Sequence, residues 1–303
     1  MMCLARSRAV LSVIALAPVL FTSCGLLGHK RIGLKRGDHP GMPTLLVASK
    51  EQLIKSVADY YEPIHSFSIE ARLVVSTGSL YKGEIKDYSE TQAFIDFRKP
   101  SDIHVVGLLP IVGSTGLNMV SDGKTFKVSI PPTSHFYEGD NNAPASSTNK
   151  YENIRPEMFL AAMLIKPVGL ENEIVIKVDD LTEEYAYYQL EIERKSPEGE
   201  IQPFRRITFD RVNLYIIEER EYAPDGSIVS MSHYGDWTKY NDVRFPNHID
   251  ISRPKEDIGI ELNITKMEMN VPIPDTKFVL TKPEGFELKI IGKPSAEPPK
   301  GSK

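Results

Sequence analysis

Cysteine is almost missing from these 303 residues: there are two, Cys3 and Cys24. If residues 1–23 are removed, one remains, which excludes an internal disulfide, a thiolate pair or a cysteine metal cluster, and leaves stability to burial and strand pairing. A membrane-spanning run is missing too. Ala9–Phe21 is broken by Ser12 and Pro18 and falls short of the roughly 20 apolar residues that a bilayer crossing takes. There is no basic excess, with 36 Lys and Arg against 41 Asp and Glu and a net charge of −5. Nucleic-acid binding relies on clustered positive charge, so that class is excluded. Gly-x-Ser-x-Gly, His-Glu-x-x-His and a phosphate-cradling glycine loop are all absent. The 41% apolar content still allows a substantial core.

What is present begins at the N-terminus. Arg6 and Arg8 precede the short apolar run, and Leu20-Phe21-Thr22-Ser23-Cys24-Gly25 follows it. This has the form of a secretory signal, and its end resembles the lipobox of bacterial lipoproteins. The resemblance implies cleavage before Cys24 and acylation of that cysteine. Acyl chains of about 15 methylenes, at about 0.8 kcal/mol each, would make a durable anchor. Glycine rather than aspartate at position 25 implies sorting to the outer membrane, facing the periplasm, with the inner membrane as the alternative. Loss of Arg6 and Arg8 takes the charge from −5 to about −7. Residues 24–49 are expected as a flexible tether. Its His29-Lys30-Arg31 and Lys35-Arg36 either touch anionic headgroups or are simply solvated.

Ser49-Lys50-Glu51-Gln52 has capping-box spacing. Leu53, Ile54, Val57, Ala58 and Tyr61 then recur at helical spacing until Pro63, which predicts one amphipathic helix. The period then changes to two. Phe67, Ile69, Ala71, Leu73 and Val75 alternate with polar residues, as in a strand with one buried face. Strands are expected at Leu80–Tyr88, around Ala93–Phe97, and at Ile103–Leu108, Leu117–Ser121 and Thr125–Ile130. Residues 138–150 read as an exposed loop and Glu157–Ile165 as a short helix between Pro156 and Pro167. Seven more strands are expected: Glu171–Val178, Tyr185–Arg194, Phe204–Asp210, Asn213–Tyr222, Ser227–Trp237, Arg244–Ser252 and Gly259–Met269. In the last, Ile258, Ile260, Leu262 and Ile264 share one parity and Met267 and Met269 the other, so a bulge near Thr265 is expected. Residues 50–290 offer no internal boundary, and 291–303 read as a disordered tail.

Catalytic constellations do not emerge. Ser-x-x-Lys occurs four times, at Ser79/Lys82, Ser121/Lys124, Ser147/Lys150 and Ser252/Lys255, with no hit on an expected helix. His29, His39, His65, His104, His135, His233 and His248 are scattered without ligand spacing, so no metal or other cofactor is expected. His233 precedes Asp236 by three residues, which places the two on opposite faces of a strand.

A helix, a run of strands, a short helix and more strands suggest a highly curved sheet around helices. At Tyr60-Tyr61-Glu62-Pro63-Ile64-His65-Ser66-Phe67, Phe97-Arg98-Lys99-Pro100 and Ser121-Asp122-Gly123-Lys124-Thr125-Phe126 the chain resembles the LolA/LolB-like superfamily of lipoprotein carriers and receptors. Asp210-Arg211-Val212-Asn213-Leu214, Tyr234-Gly235-Asp236-Trp237 and Phe245-Pro246 extend the resemblance over roughly residues 50–285. It implies a mainly β, α+β fold: an antiparallel half-barrel with a few short helices against its concave face.

The resemblance also implies a non-enzymatic outer-membrane lipoprotein that holds lipid or the acyl chains of lipoproteins in an apolar cavity and serves in lipoprotein localisation. Its partners would be the membrane and a lipid or acylated-protein ligand. Because the anchor prevents shuttling, a receptor fits better than a soluble carrier. A loop containing Leu108, Leu109, Ile111 and Val112 would contact the bilayer, unless these residues pack under the sheet rim. Phe67, Ile69, Leu73, Ile95 and Phe97 would line the cavity, unless they are ordinary core. The alternatives are a structural lipoprotein that docks an envelope protein partner and a hydrolase using an unrecognised polar cluster.

Overall fold

The computed structural model describes residues 44–79, 84–143, 153–169, 171–182 and 185–291. Cys24, residues 1–43 and residues 292–303 lie outside that set.

Helix α1 (Lys50–Tyr61) starts where the capping box places it. Gln52 N–H donates to Ser49 Oγ at 3.2 Å, and Ser49 N–H to Gln52 Oε1 at 2.7 Å, which satisfies two donors that would otherwise be orphaned at the helix start. Its buried stripe is Leu53, Val57 and Tyr60. Pro63 follows the C-cap, and the chain enters the sheet.

The first meander consists of β1 (Ser66–Ser79), β2 (Glu84–Asp87), β3 (Thr91–Arg98), β4 (Asp102–Leu108), β5 (Thr115–Ser121), β6 (Thr125–Ile130) and β7 (His135–Asp140). Helix α2 (Pro156–Met163) separates it from a second meander. That comprises β8 (Glu173–Leu181), β9 (Ala186–Lys195), β10 (Ile201–Asp210), β11 (Ile216–Tyr222), β12 (Ile228–Tyr240), β13 (Val243–Arg253) and β14 (Ile258–Met269). Antiparallel pairing of β1 with β14 joins the two into one curved, unclosed sheet, with β8 at one edge and the short β15 (Glu287–Ile291) at the other. The half-barrel architecture expected from the sequence is what the chain adopts. The two helices pack on the apolar face, α1 against β13 and α2 against β4, β5 and β13.

Thr265 is the bulge. Glu70 pairs with Lys266 but Ala71 with Ile264, so Thr265 has no opposite number, and its hydroxyl donates to Glu70 O at 3.0 Å. This flips the parity, and Ile258, Ile260, Leu262, Met267 and Met269 all point into the core.

Three expectations need correction. Glu138–Asp140 continue β7 instead of opening a loop, because they pair with Thr125–Lys127 on β6. Ile291 belongs to β15, which runs parallel to β7; with two exposed apolar residues, Leu288 and Ile290, this strand has no half-buried signature. The end of the expected tether is docked: Leu46 N–H donates to Arg211 O at 2.7 Å, and Ala48 is buried with Lys177 Nζ on its carbonyl.

Candidate functional site

Strands β4 and β5 carry a loop whose shape is set by its own backbone. Leu109 N–H donates to Ser114 O at 2.7 Å and Gly113 N–H to Leu109 O at 3.0 Å. Val112 N–H donates to Pro110 O at 2.8 Å, which closes a three-residue turn centred on Ile111. Ile111 has φ +70°. That is the rare, strained form of the γ-turn, adopted here by a β-branched residue that resists positive φ. Its side chain is fully exposed, and Val112 is 75% exposed. Of the four residues assigned to this loop, the structure presents these two to solvent. Leu108 and Leu109 are half-buried. Leu109 lies over Gly116, where an added Cβ would stand 2.9 Å from Leu109 Cδ2.

The sequence leaves Phe67, Ile69, Leu73, Ile95 and Phe97 as either cavity lining or ordinary core. All five are buried in the core, with Phe67 and Phe97 ring centroids 4.9 Å apart and Phe245 5.6 Å from Phe67. They belong to one buried apolar cluster with Leu53 and Val57 of α1 and Phe159 and Met163 of α2. A cavity of about 300 Å³ lies at the rim, between α2 residues Glu157 and Leu160 and the turns at Pro100–Ser101 and Asp122–Lys124.

The helical cover is tied down by polar groups the sequence reading missed. Arg205 Nη1 donates to Glu219 Oε1 at 3.0 Å and to Lys166 O at 3.1 Å, and Nη2 donates to Pro167 O at 3.0 Å. Tyr60 OH donates to Met163 O at 2.6 Å. Arg205 thus caps the chain leaving α2, whose carbonyls have no helical partner. Burial pushes the Glu219 carboxyl up to about 7, with Arg205 pulling the other way. Alternation on β10 and β11 puts Arg205 and Glu219 on the core face, a signal visible in the sequence only once both strands are in register.

The polar candidates do not assemble into a catalytic group. His233 Nε2 lies 3.2 Å from Glu218, which Arg220 also holds. Asp236 takes φ +52° and is exposed, so it leaves the buried face that simple alternation assigns it; the carboxylate beside His233 is that of Glu218. His248 corrects the reading of scattered histidines: its ring and the carboxylates of Asp250 and Glu261 all place a ligand atom within 4.8 Å of one another.

No protein-family model and no curated protein sequence matches the chain. Its structural neighbours include LolA-superfamily and DUF1329-family proteins. A DUF1329 family protein from Desulfovibrio piger aligns over 75% of this chain and 94% of its own at 13% identity, with a TM-score of 0.49. A LolA superfamily protein from Nitrosomonas europaea aligns over 77% and 99% at 12% identity and TM-score 0.49. A domain from Vibrio parahaemolyticus, ascribed to outer membrane lipoprotein sorting, aligns over 75% and 94% at 9% identity and TM-score 0.48. Measured against the LolA-like expectation, this chain has the open sheet and the two helices, with a buried apolar cluster between them.

Proposed function

We propose that the chain is a non-enzymatic lipoprotein of the bacterial envelope, anchored through acylated Cys24, that handles lipid or acylated protein at the periplasmic face of the outer membrane. One observation carries this reading: Ile111 and Val112 stand out in water at the tip of a turn braced by three backbone bonds. An apolar pair held outward at the expense of backbone strain suits insertion into a bilayer or capture of an acyl chain. Burying the two side chains contributes on the order of 3–5 kcal/mol. An internal acyl site would require α2 and the chain after it to lift from the concave face, and Arg205 is the tie that would have to yield.

The test is to reconstitute the mature lipoprotein with Val112→Cys carrying an environment-sensitive dye. Emission should shift to the blue and be quenched by bilayer-resident spin labels, unlike the same dye at the exposed Lys239→Cys. Equal spectra at both positions would sink the proposal.

The filled core favours a second reading, docking of a protein partner. Edge strand β8 exposes Ile174, Ile176 and Val178 on one face, and an unpaired strand edge can accept another strand.

A further inference from the structure

On the face of the sheet away from the helices, Asp250 of β13 stands directly opposite Glu261 of β14, and His248 opposite Asn263. Facing like charges on adjacent strands are destabilising, yet among the described residues neither carboxylate has a Lys or Arg partner. The network fixes the imidazole's orientation. Glu261 Oε1 can only accept, so the Asn263 amide turns its Nδ2 toward it at 2.7 Å, which leaves Asn263 Oδ1 to accept from His248 Nδ1–H at 2.8 Å. When the ring is neutral, the remaining nitrogen, Nε2, presents its lone pair to Asp250 Oδ2 3.1 Å away, a contact that either a proton or a metal ion relieves. A lone pair facing a carboxylate beside a second carboxylate calls for a positive charge among the three. The 3.1 Å spacing is that of two neighbouring ligands on one ion.

We propose that His248, Asp250 and Glu261 bind a divalent first-row transition cation, with Asn263 as the positioning residue that holds the imidazole. One nitrogen and two carboxylate oxygens favour Zn²⁺ over Mg²⁺. Asp250 and Glu261 also line a groove of about 600 Å³ whose apolar wall includes Val74, Ile85 and Met231. The ion's remaining coordination positions would open into that groove and could take water or an anionic ligand group. This site is independent of the Ile111–Val112 tip and of the lipid reading.

The test is Zn²⁺ titration of the full detergent-solubilised chain by equilibrium dialysis, followed by thermal unfolding with Zn²⁺ or with chelator. The wild type should bind one equivalent more than His248→Gln or Glu261→Gln, with affinity at that site falling at least tenfold in each variant, and excess Mg²⁺ should not displace it. Zn²⁺ should raise the wild-type unfolding midpoint and leave that of His248→Gln unmoved. Equal midpoints in chelator would show that the variants fold; if one does not fold, Asn263→Ala, which leaves all three ligands in place, should still bind Zn²⁺ more weakly than the wild type. Stoichiometry and affinity unchanged by His248→Gln, or a wild type that binds no Zn²⁺ beyond its variants, would overturn the assignment.

Discussion

Single residues carry two consequences. Asp96 on β3 lies under the segment after β14, and its carboxylate accepts from Ser68 Oγ at 2.7 Å and sits 3.1 Å from Lys277 Nζ and 3.7 Å from His104. Burial alone would raise its pKa, but His104, Ser68 and Lys277 outweigh burial and hold it at about 2, below its ordinary 3.8. A depressed carboxylate stabilises the fold above its unfolded pKa, and that stability is lost as pH falls from about 4 through 2. Asp96→Asn should therefore lower unfolding free energy by about 2 kcal/mol at pH 7, and its urea midpoint should converge on that of the wild type at pH 2. A constant gap across that range would show that the charge is not the cause. At the loop tip, Ile111→Gly should relieve strain of about 1–3 kcal/mol and raise the unfolding temperature, while weakening any membrane contact.

At the scale of elements, Arg205 couples the sheet to the exit of α2. Replacing it with Ala removes the bonds to Lys166 O and Pro167 O and leaves Glu219 buried without its partner, a loss of about 3–5 kcal/mol. Hydrogen exchange in residues 156–168 should rise above what global destabilisation explains. Exchange unchanged in that segment would mean packing alone holds the cover. Legibility in the sequence follows the same physics. α1 could be read because its cap and apolar spacing are local, and the Thr265 bulge because a parity change cannot be hidden in a half-buried strand. β7 and β15 could not: in His135–Asp140 the two buried residues, Phe136 and Tyr137, are adjacent instead of alternating, and β15 exposes its apolar residues, so their pairing is decided by neighbours distant in sequence. The metal-type cluster was invisible for a related reason. His248-x-Asp250 and Glu261-x-Asn263 each place two residues on one face, but only the β13–β14 register brings them together.

For the whole molecule, the two meanders make one open sheet with two short helices packed on its inner face, and an apolar tip and a polar cluster on its outer side. The loop was legible because Leu108–Val112 is an apolar run between glycines at a hairpin end. Which of its residues reach solvent was not, since that depends on a positive φ at Ile111. Cavity lining and ordinary core could not be told apart for Phe67, Ile69, Leu73, Ile95 and Phe97, because alternating apolar residues have the same pattern whether they line a space or fill it. The proposed anchor is tested on the entire chain: Cys24→Ser should abolish incorporation of labelled palmitate, and a variant that still incorporates it would contradict acylation of that cysteine.

The central claim is that the Ile111–Val112 tip engages lipid by itself, and vesicle flotation measures this most directly. The full-length Cys24→Ser chain would be mixed with phosphatidylethanolamine–phosphatidylglycerol vesicles, alongside a version that also carries Ile111→Glu and Val112→Glu. The account predicts that the chain with the native tip floats with the vesicles and that the acidic-tip chain stays at the bottom of the gradient. Equal flotation of the two, or no flotation of the native tip, would contradict it.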